Sequence, residues 1–154
     1  MIKKQSAGLL LYRKFKNSLE VFLVHPGGPF WKNKDDGSWS IPKGEFEENE
    51  SPLQAAMREF LEETGKSVSG QFLKLNSIKQ KSGKTVFAWA LEKNLDASDI
   101  ISNTFEIEWP PRSGKIQTFP EIDKASWFSI DEAKTKINAA QVALLTELEV
   151  KIPV

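Results

Sequence analysis

The sequence contains no cysteine. Disulfide staples and thiolate metal centres are thereby excluded, and the composition suits a reducing compartment. Neither sign of charge is in excess, since 21 Lys and Arg balance 21 Asp and Glu. A protein that grips duplex nucleic acid normally shows a basic surplus, so no duplex partner is expected. A small phosphorylated ligand needs only a local basic patch and stays open. The apolar run between Lys4 and Arg13 is too short for a signal-peptide core and far too short to span a bilayer. The expected location is cytoplasmic, with no membrane partner. No internal repeat or low-complexity segment stands out, and nothing specifies an oligomeric state. What remains is ordinary globular material: 154 residues, 40% hydrophobic and 27% charged, read as one domain over 1–154.

One stretch organises the chain, from Gly44 to Gly65. Ser51 is a good N-cap, Pro52 suits the first helical position, and Gln54 completes a capping box. Gly65 is the natural left-handed residue past the helix end. At about 100° per residue, Leu53, Ala56, Met57, Phe60 and Thr64 share one arc, the expected core stripe. Glu59, Glu62 and Glu63 share an adjacent arc with Ala55. Like charges three and four residues apart repel by roughly 0.2–0.5 kcal/mol per pair on an open helix. A solvated acidic face is the common explanation of such a helix. A cluster of hard oxygen ligands for a divalent cation is the other.

The full spacing decides between them. Gly44, five residues, Glu50, seven residues, then Arg58-Glu59-Phe60-Leu61-Glu62-Glu63-Thr64-Gly65 closely resembles the Nudix box. The pattern covers about a seventh of the chain. Lys66 departs from it, standing where the family usually has an aliphatic residue that packs the box's end. The resemblance implies an α/β/α sandwich with a mixed sheet. It also implies hydrolysis of a nucleoside diphosphate linked to another group, with Mg2+ (or Mn2+) as cofactor. The metal ligands it implies are Gly44, Glu59, Glu62 and Glu63. Arg58 is then an ion-pair partner that orients Glu50 or another box acid. Glu59 or Glu62 is one choice of general base. Glu106 or Glu108, on the acidic face of a later strand, is the other, and either of these could instead be an extra ligand.

The rest of the chain reads as strands and loops around this unit. Ser6 to Tyr12 and Glu20 to His25 are buried strands joined by a polar turn at Lys16-Asn17-Ser18. The stretch from Pro26 to Gly37 is a long loop, and long loops are often functional. Ser38 to Pro42 is a short extended piece leading to Lys43. Gln71 to Gln80 and Thr85 to Leu91 are strands around a Ser82-Gly83-Lys84 turn. Thr104 to Trp109 is a strand ended by the Pro110–Lys115 breaker, and Ala125 to Ile130 is a last strand. A helix capped at Ser129 or Asp131 runs through Ile137, and another spans Ala139 to Leu148. His25, at a strand end, reads as structural.

A small nucleotide is the expected partner. Trp31 and Trp39 flank the long loop and are candidates to stack on a base. Lys43, Arg112 and Lys115 are candidates to hold phosphates, provided the strand ending at Trp109 lies beside the acidic helix. Trp39-Ser40-Ile41-Pro42-Lys43-Gly44 looks somewhat like the dinucleoside polyphosphate hydrolases. Those often carry a tyrosine shortly after the box, whereas the single tyrosine here is Tyr12. Nucleoside triphosphates, nucleotide sugars and capped RNA ends therefore remain alongside dinucleoside polyphosphates. A catalytically inactive Nudix-like nucleotide-binding or regulatory module is the alternative function. A damaged box would favour it, and every acidic position here is intact.

Overall fold

The computed structural model describes residues 4–154. The chain runs β1 (Gln5–Phe15), β2 (Ser18–Pro26), β3 (Lys43–Glu45), α1 (Pro52–Thr64), β4 (Leu73–Lys74) and β5 (Ile78–Lys79). It continues through β6 (Thr85–Glu92), β7 (Thr104–Glu108), β8 (Ile116–Pro120) and β9 (Ile122–Ser129). It ends with α2 (Ile130–Lys136), a 3-10 turn at Ala139–Gln141 and α3 (Val142–Lys151).

β1 is the axis of the main sheet because it is apolar on both faces, as a strand covered on both sides must be. Ala7, Leu9 and Leu11 join Phe22, Val24 and Phe60 of α1 in one core. Leu10 and Tyr12 join Leu23, Leu144, Leu145 and Leu148 in the other, under α2 and α3. The order is β4-β6-β1-β2-β9, with β3 added on β1 and β5 on β6. β1 and β6 run parallel while the other pairs are antiparallel, so the sheet is mixed. The fold is an α/β sandwich with helices on both faces.

The β1–β2 hairpin closes on Lys16 and Asn17, both at positive φ, the two-residue turn whose twist matches its strands. Beyond that end the two strands splay. β1 pairs β2 from Tyr12 to Phe15 but pairs β3 from Ser6 to Gly8. The wedge they leave admits residues 38–45, tied on one side by Leu9 N–H to Pro42 O and on the other by Ser40 to Val24. This wedge delivers β3 to the foot of α1.

Several expectations need correction. The span from Gln71 to Gln80 is two short strands, not one, each pairing a different part of β6. The Pro110–Lys115 breaker is the turn of a hairpin, because β8 returns along β7 as a separate two-stranded sheet. The last strand begins three residues earlier than expected, at Ile122. At the start of α1, Ser51 accepts the Gln54 N–H at 3.2 Å, so one half of the capping box is formed.

Candidate active site

α1 buries the expected stripe and a margin beside it. Ala56, Phe60 and Thr64 are buried, Leu53 and Met57 are partly buried against the same core, and Ala55 and Glu59 of the adjacent arc are buried as well. The near edge of the acidic arc is thus drawn inward, over β3. Gly44 makes this approach feasible. A methyl group on its Cα would lie 1.9 Å from Glu59 Oε2, so the carboxylate occupies the space that any other side chain would fill. One turn along, Glu63 Oε1 accepts the Lys43 N–H at 3.2 Å. Helix and strand thus meet through carboxylate oxygens rather than methyl groups.

Arg58 gathers the remaining acids. Its Nε and Nη2 donate to the two oxygens of Glu50 at 2.8 and 2.9 Å. Its Nη1 donates to Glu59 Oε1 at 2.8 Å and to Glu62 Oε1 at 3.2 Å. The repulsion among the helix acids is met by this one guanidinium. Among the described residues no three carboxylates converge as a ready cation cage, and Arg58 supplies the positive charge in their place.

The charge states follow from this packing. Burial pushes the Glu63 carboxyl up to about 8; the Lys43 N–H and ammonium oppose the rise, and Glu59 and Glu121 add to it. Glu59 is also raised, chiefly by burial; Arg58 opposes the rise and Glu62 reinforces it. Burial lowers Lys43, opposed most strongly by the charge of Glu63. The Arg58 hydrogen bond holds Glu50 below the usual carboxylate range. Partly buried acids held near one another, with Arg58 as their shared counter-charge, suit a hard divalent cation.

An acid outside α1 joins this group, and it is neither Glu106 nor Glu108. Those two lie on the exposed face of β7, and Glu108 Oε1 accepts the Arg112 N–H at 3.0 Å, bracing the hairpin turn. The acid at the site is Glu121, an exposed residue whose carboxyl is raised by partial loss of solvent on its site-facing side and by the Glu62 charge. It is placed by a chain of backbone bonds: Asn103 N–H to Glu62 O, Glu121 N–H to Asn103 O and Gly27 N–H to Glu121 O. The first of these, with Ile101 N–H to Thr64 O, satisfies carbonyls at the end of α1. At the same end Lys66 pairs with Asp99 at 2.8 Å, a polar closure where the family pattern has an aliphatic contact.

The aromatic and basic candidates separate. Trp39 is 5% exposed, wedged against His25 and Phe128, with its Nε1 donating to Asp35. It has no free face for a base, which corrects its reading as a substrate residue. Trp31 is 39% exposed on the loop, with the Lys34 ammonium 5.1 Å from its ring centre. Arg112 and Lys115 sit on the turn of the β7–β8 hairpin. The hairpin meets α1 at its Thr104–Pro120 end, not at its Trp109 end. Five residues of extended chain put the turn about 16 Å from that junction. His25 is fully buried and joins the loop to β9, with Nε2 at 2.6 Å from Lys34 O and Nδ1 at 2.8 Å from Asp123 Oδ1.

The family model described as NUDIX domain matches residues 3–148. An RNA pyrophosphohydrolase of Helicobacter pylori (strain P12) is 34% identical over 59 residues, which are 38% of this chain and 34% of that protein. The match thus spans about a third of that relative's length. Among solved structures, the C. elegans Ap4A hydrolase binary complex superposes with a TM-score of 0.63 at 23% identity, covering 96% of each chain. The NUDIX domain of Shewanella oneidensis NrtR, solved with ADP ribose, gives a TM-score of 0.63 at 16% identity, covering 98% of this chain and 88% of that one.

Proposed function

The chain belongs to the NUDIX family, and from that premise we propose that it is a divalent-metal-dependent pyrophosphohydrolase of nucleotides. One observation carries the reading: the Glu59 carboxylate lies on Gly44, with Glu63 hydrogen-bonded to the adjoining backbone N–H of Lys43. Glu59, Glu62 and Glu63 with the Gly44 carbonyl would hold Mg2+ or Mn2+, and Glu121 adds a further carboxylate. A bound cation would neutralise charge on the phosphates and make a water more acidic. The chain's own groups do the rest. Arg58 has two sets of partners and can keep Glu50 while releasing Glu59 and Glu62 to a cation. Glu59, with its carboxyl raised by burial, takes the proton of the attacking water as the phosphoanhydride P–O bond breaks. Lys43, whose charge acts on Glu63, would meet a phosphate oxygen.

The substrate class follows the same family logic. Dinucleoside polyphosphates, nucleoside triphosphates and 5′-polyphosphorylated RNA all present the required bond. Trp31, half-exposed on the loop tied to Glu121, offers a stacking face for a base. The deciding experiment is a nucleotide panel with Mg2+, products identified, run on the wild type and on Glu62→Gln. Release of a phosphate or nucleotide product that the variant fails to make supports the reading. Tight nucleotide binding with no turnover by the wild type would favour a binding module instead.

A further inference from the structure

The β7–β8 hairpin and the long loop meet a second time, away from the glutamates. Near the junction, the Phe105 ring packs on Gly28, where an added methyl group would lie 2.7 Å from its Cζ. Four residues further along the chain, just past the end of β7, Trp109 meets Phe30 edge-on, ring centres 5.2 Å apart. Phe30 is 57% exposed, although it is a large apolar side chain with an aromatic partner. Lys32 and Lys34 follow it on the loop, Lys34 with its ammonium over Trp31, and Arg112 and Lys115 close the hairpin turn beside Trp109. Among the described residues none of these four cations is in an ion pair. Along β7 the acids Glu106 and Glu108 alternate with Phe105 and Ile107 and point to the other face of the strand, and at the turn Glu108 Oε1 accepts the Arg112 backbone N–H, leaving the guanidinium, among the described residues, without an ion pair.

From this we infer that the Phe30–Trp109 contact and its four cations form a distal station for the second and following nucleotides of a single-stranded, 5′-polyphosphorylated oligonucleotide. The inference rests on the hydrolase reading above for the position of the reacting phosphates. Aromatic faces with unpaired cations are what single strands bind, base on ring and phosphodiester on cation. Charge selects the occupant. In a dinucleoside polyphosphate all phosphates lie between the nucleosides, at the glutamates, and the far nucleoside brings no anion outward. A strand continuing from its 5′ end carries a phosphodiester at each step, so cations more than a nucleotide's length from the reacting bond have something to hold.

The test compares kcat/KM for a 5′-triphosphorylated mononucleotide with that for di-, tri- and tetranucleotides, in Mg2+. Wild type should gain about tenfold or more from one nucleotide to three. That ratio should collapse in Trp109→Ala and in Arg112→Ser/Lys115→Ser, the latter changing only exposed turn residues. Independently, a labelled 5′-monophosphorylated tetranucleotide, followed by anisotropy in EDTA, should bind wild type with a salt slope steeper by about 1.4 than the double variant, two phosphate contacts at roughly 0.7 each. Equal kcat/KM at every length, with hydrolysis intact, would overturn the station and leave the hydrolase reading standing. The same would follow if a dinucleoside tetraphosphate depended on Arg112 and Lys115 as strongly as the strands do. Should no nucleotide be hydrolysed, the hydrolase reading fails, and the tetranucleotide binding alone decides: no binding, or none that the variant weakens, overturns the station.

Discussion

Gly44→Ala isolates the contact on which the catalytic reading depends. The backbone there is not in the left-handed region, so alanine meets no conformational penalty. The added methyl group would lie 1.9 Å from Glu59 Oε2 and 2.1 Å from Cδ. A normal contact is about 3.5 Å, so the carboxylate must withdraw by about 1.5 Å. It is the flexible end of a side chain, so the fold tolerates the move. The cost is loosening of the 2.8 Å bond from Arg58, about 1.5–3 kcal/mol for a hydrogen bond to a charged group. At about 2–4 °C per kcal/mol for a chain of this size, the melting temperature should drop by roughly 3–12 °C. Activity should suffer more. A misplacement of about 1 Å at a reacting centre costs on the order of 100-fold in rate. The assay is steady-state hydrolysis at saturating Mg2+, alongside thermal melting and circular dichroism. In a Glu59→Gln background, Gly44→Ala should add little further loss, because the two changes strike one group. A folded Gly44→Ala enzyme turning over within about threefold of wild type would refute the placement of Glu59 in the chemistry.

Glu62→Gln and Glu63→Gln should each nearly abolish turnover while the circular dichroism spectrum stays native; near-normal rates in both would remove these acids from the ligand set. Millimolar Mg2+ or Mn2+ should raise the melting temperature without nucleotide, and an unchanged curve would count against a cation site. The pH dependence has a definite sign. With the Glu63 carboxyl up at about 8 in the folded state, against 4.5 ordinarily, the metal-free protein binds more protons folded than unfolded across that window. Its stability should therefore fall as pH rises from about 4.5 to 8. A cation must displace the same proton, so metal affinity should rise about tenfold per pH unit below 8, read by calorimetry in two buffers. Trp31→Ala should raise KM by about 10- to 100-fold, at about 1.4 kcal/mol per decade, with a smaller fall in kcat; wild-type KM with earlier melting would make Trp31 a packing residue. Trp39→Ala should instead cost about 3–5 kcal/mol of stability, checked by denaturant unfolding.

Local chemistry made part of this protein legible in one dimension. Ser51, Pro52 and Gly65 mark the ends of α1 because capping involves residues within a few positions of one another. The apolar runs of β1 and β2 and the spacing from Gly44 to Gly65 are likewise local, and they carried the fold class and the family. Tertiary contacts decided the rest. The burial of Glu59 depends on β3 arriving beneath α1, through the wedge where β1 and β2 splay apart. Whether Trp39 meets solvent was set by Phe128 and Asp35, contacts that indole size does not encode. Glu106 and Glu108 alternate on a strand just as a site face would, yet the acid at the site is Glu121, with no local signal of its own. Its position comes from backbone hydrogen bonds through Asn103 to Glu62 and from Gly27, joining segments from three parts of the chain. Backbone groups are the same at every residue, so pairings of this kind leave no mark in the side-chain sequence, and only the folded chain reveals them.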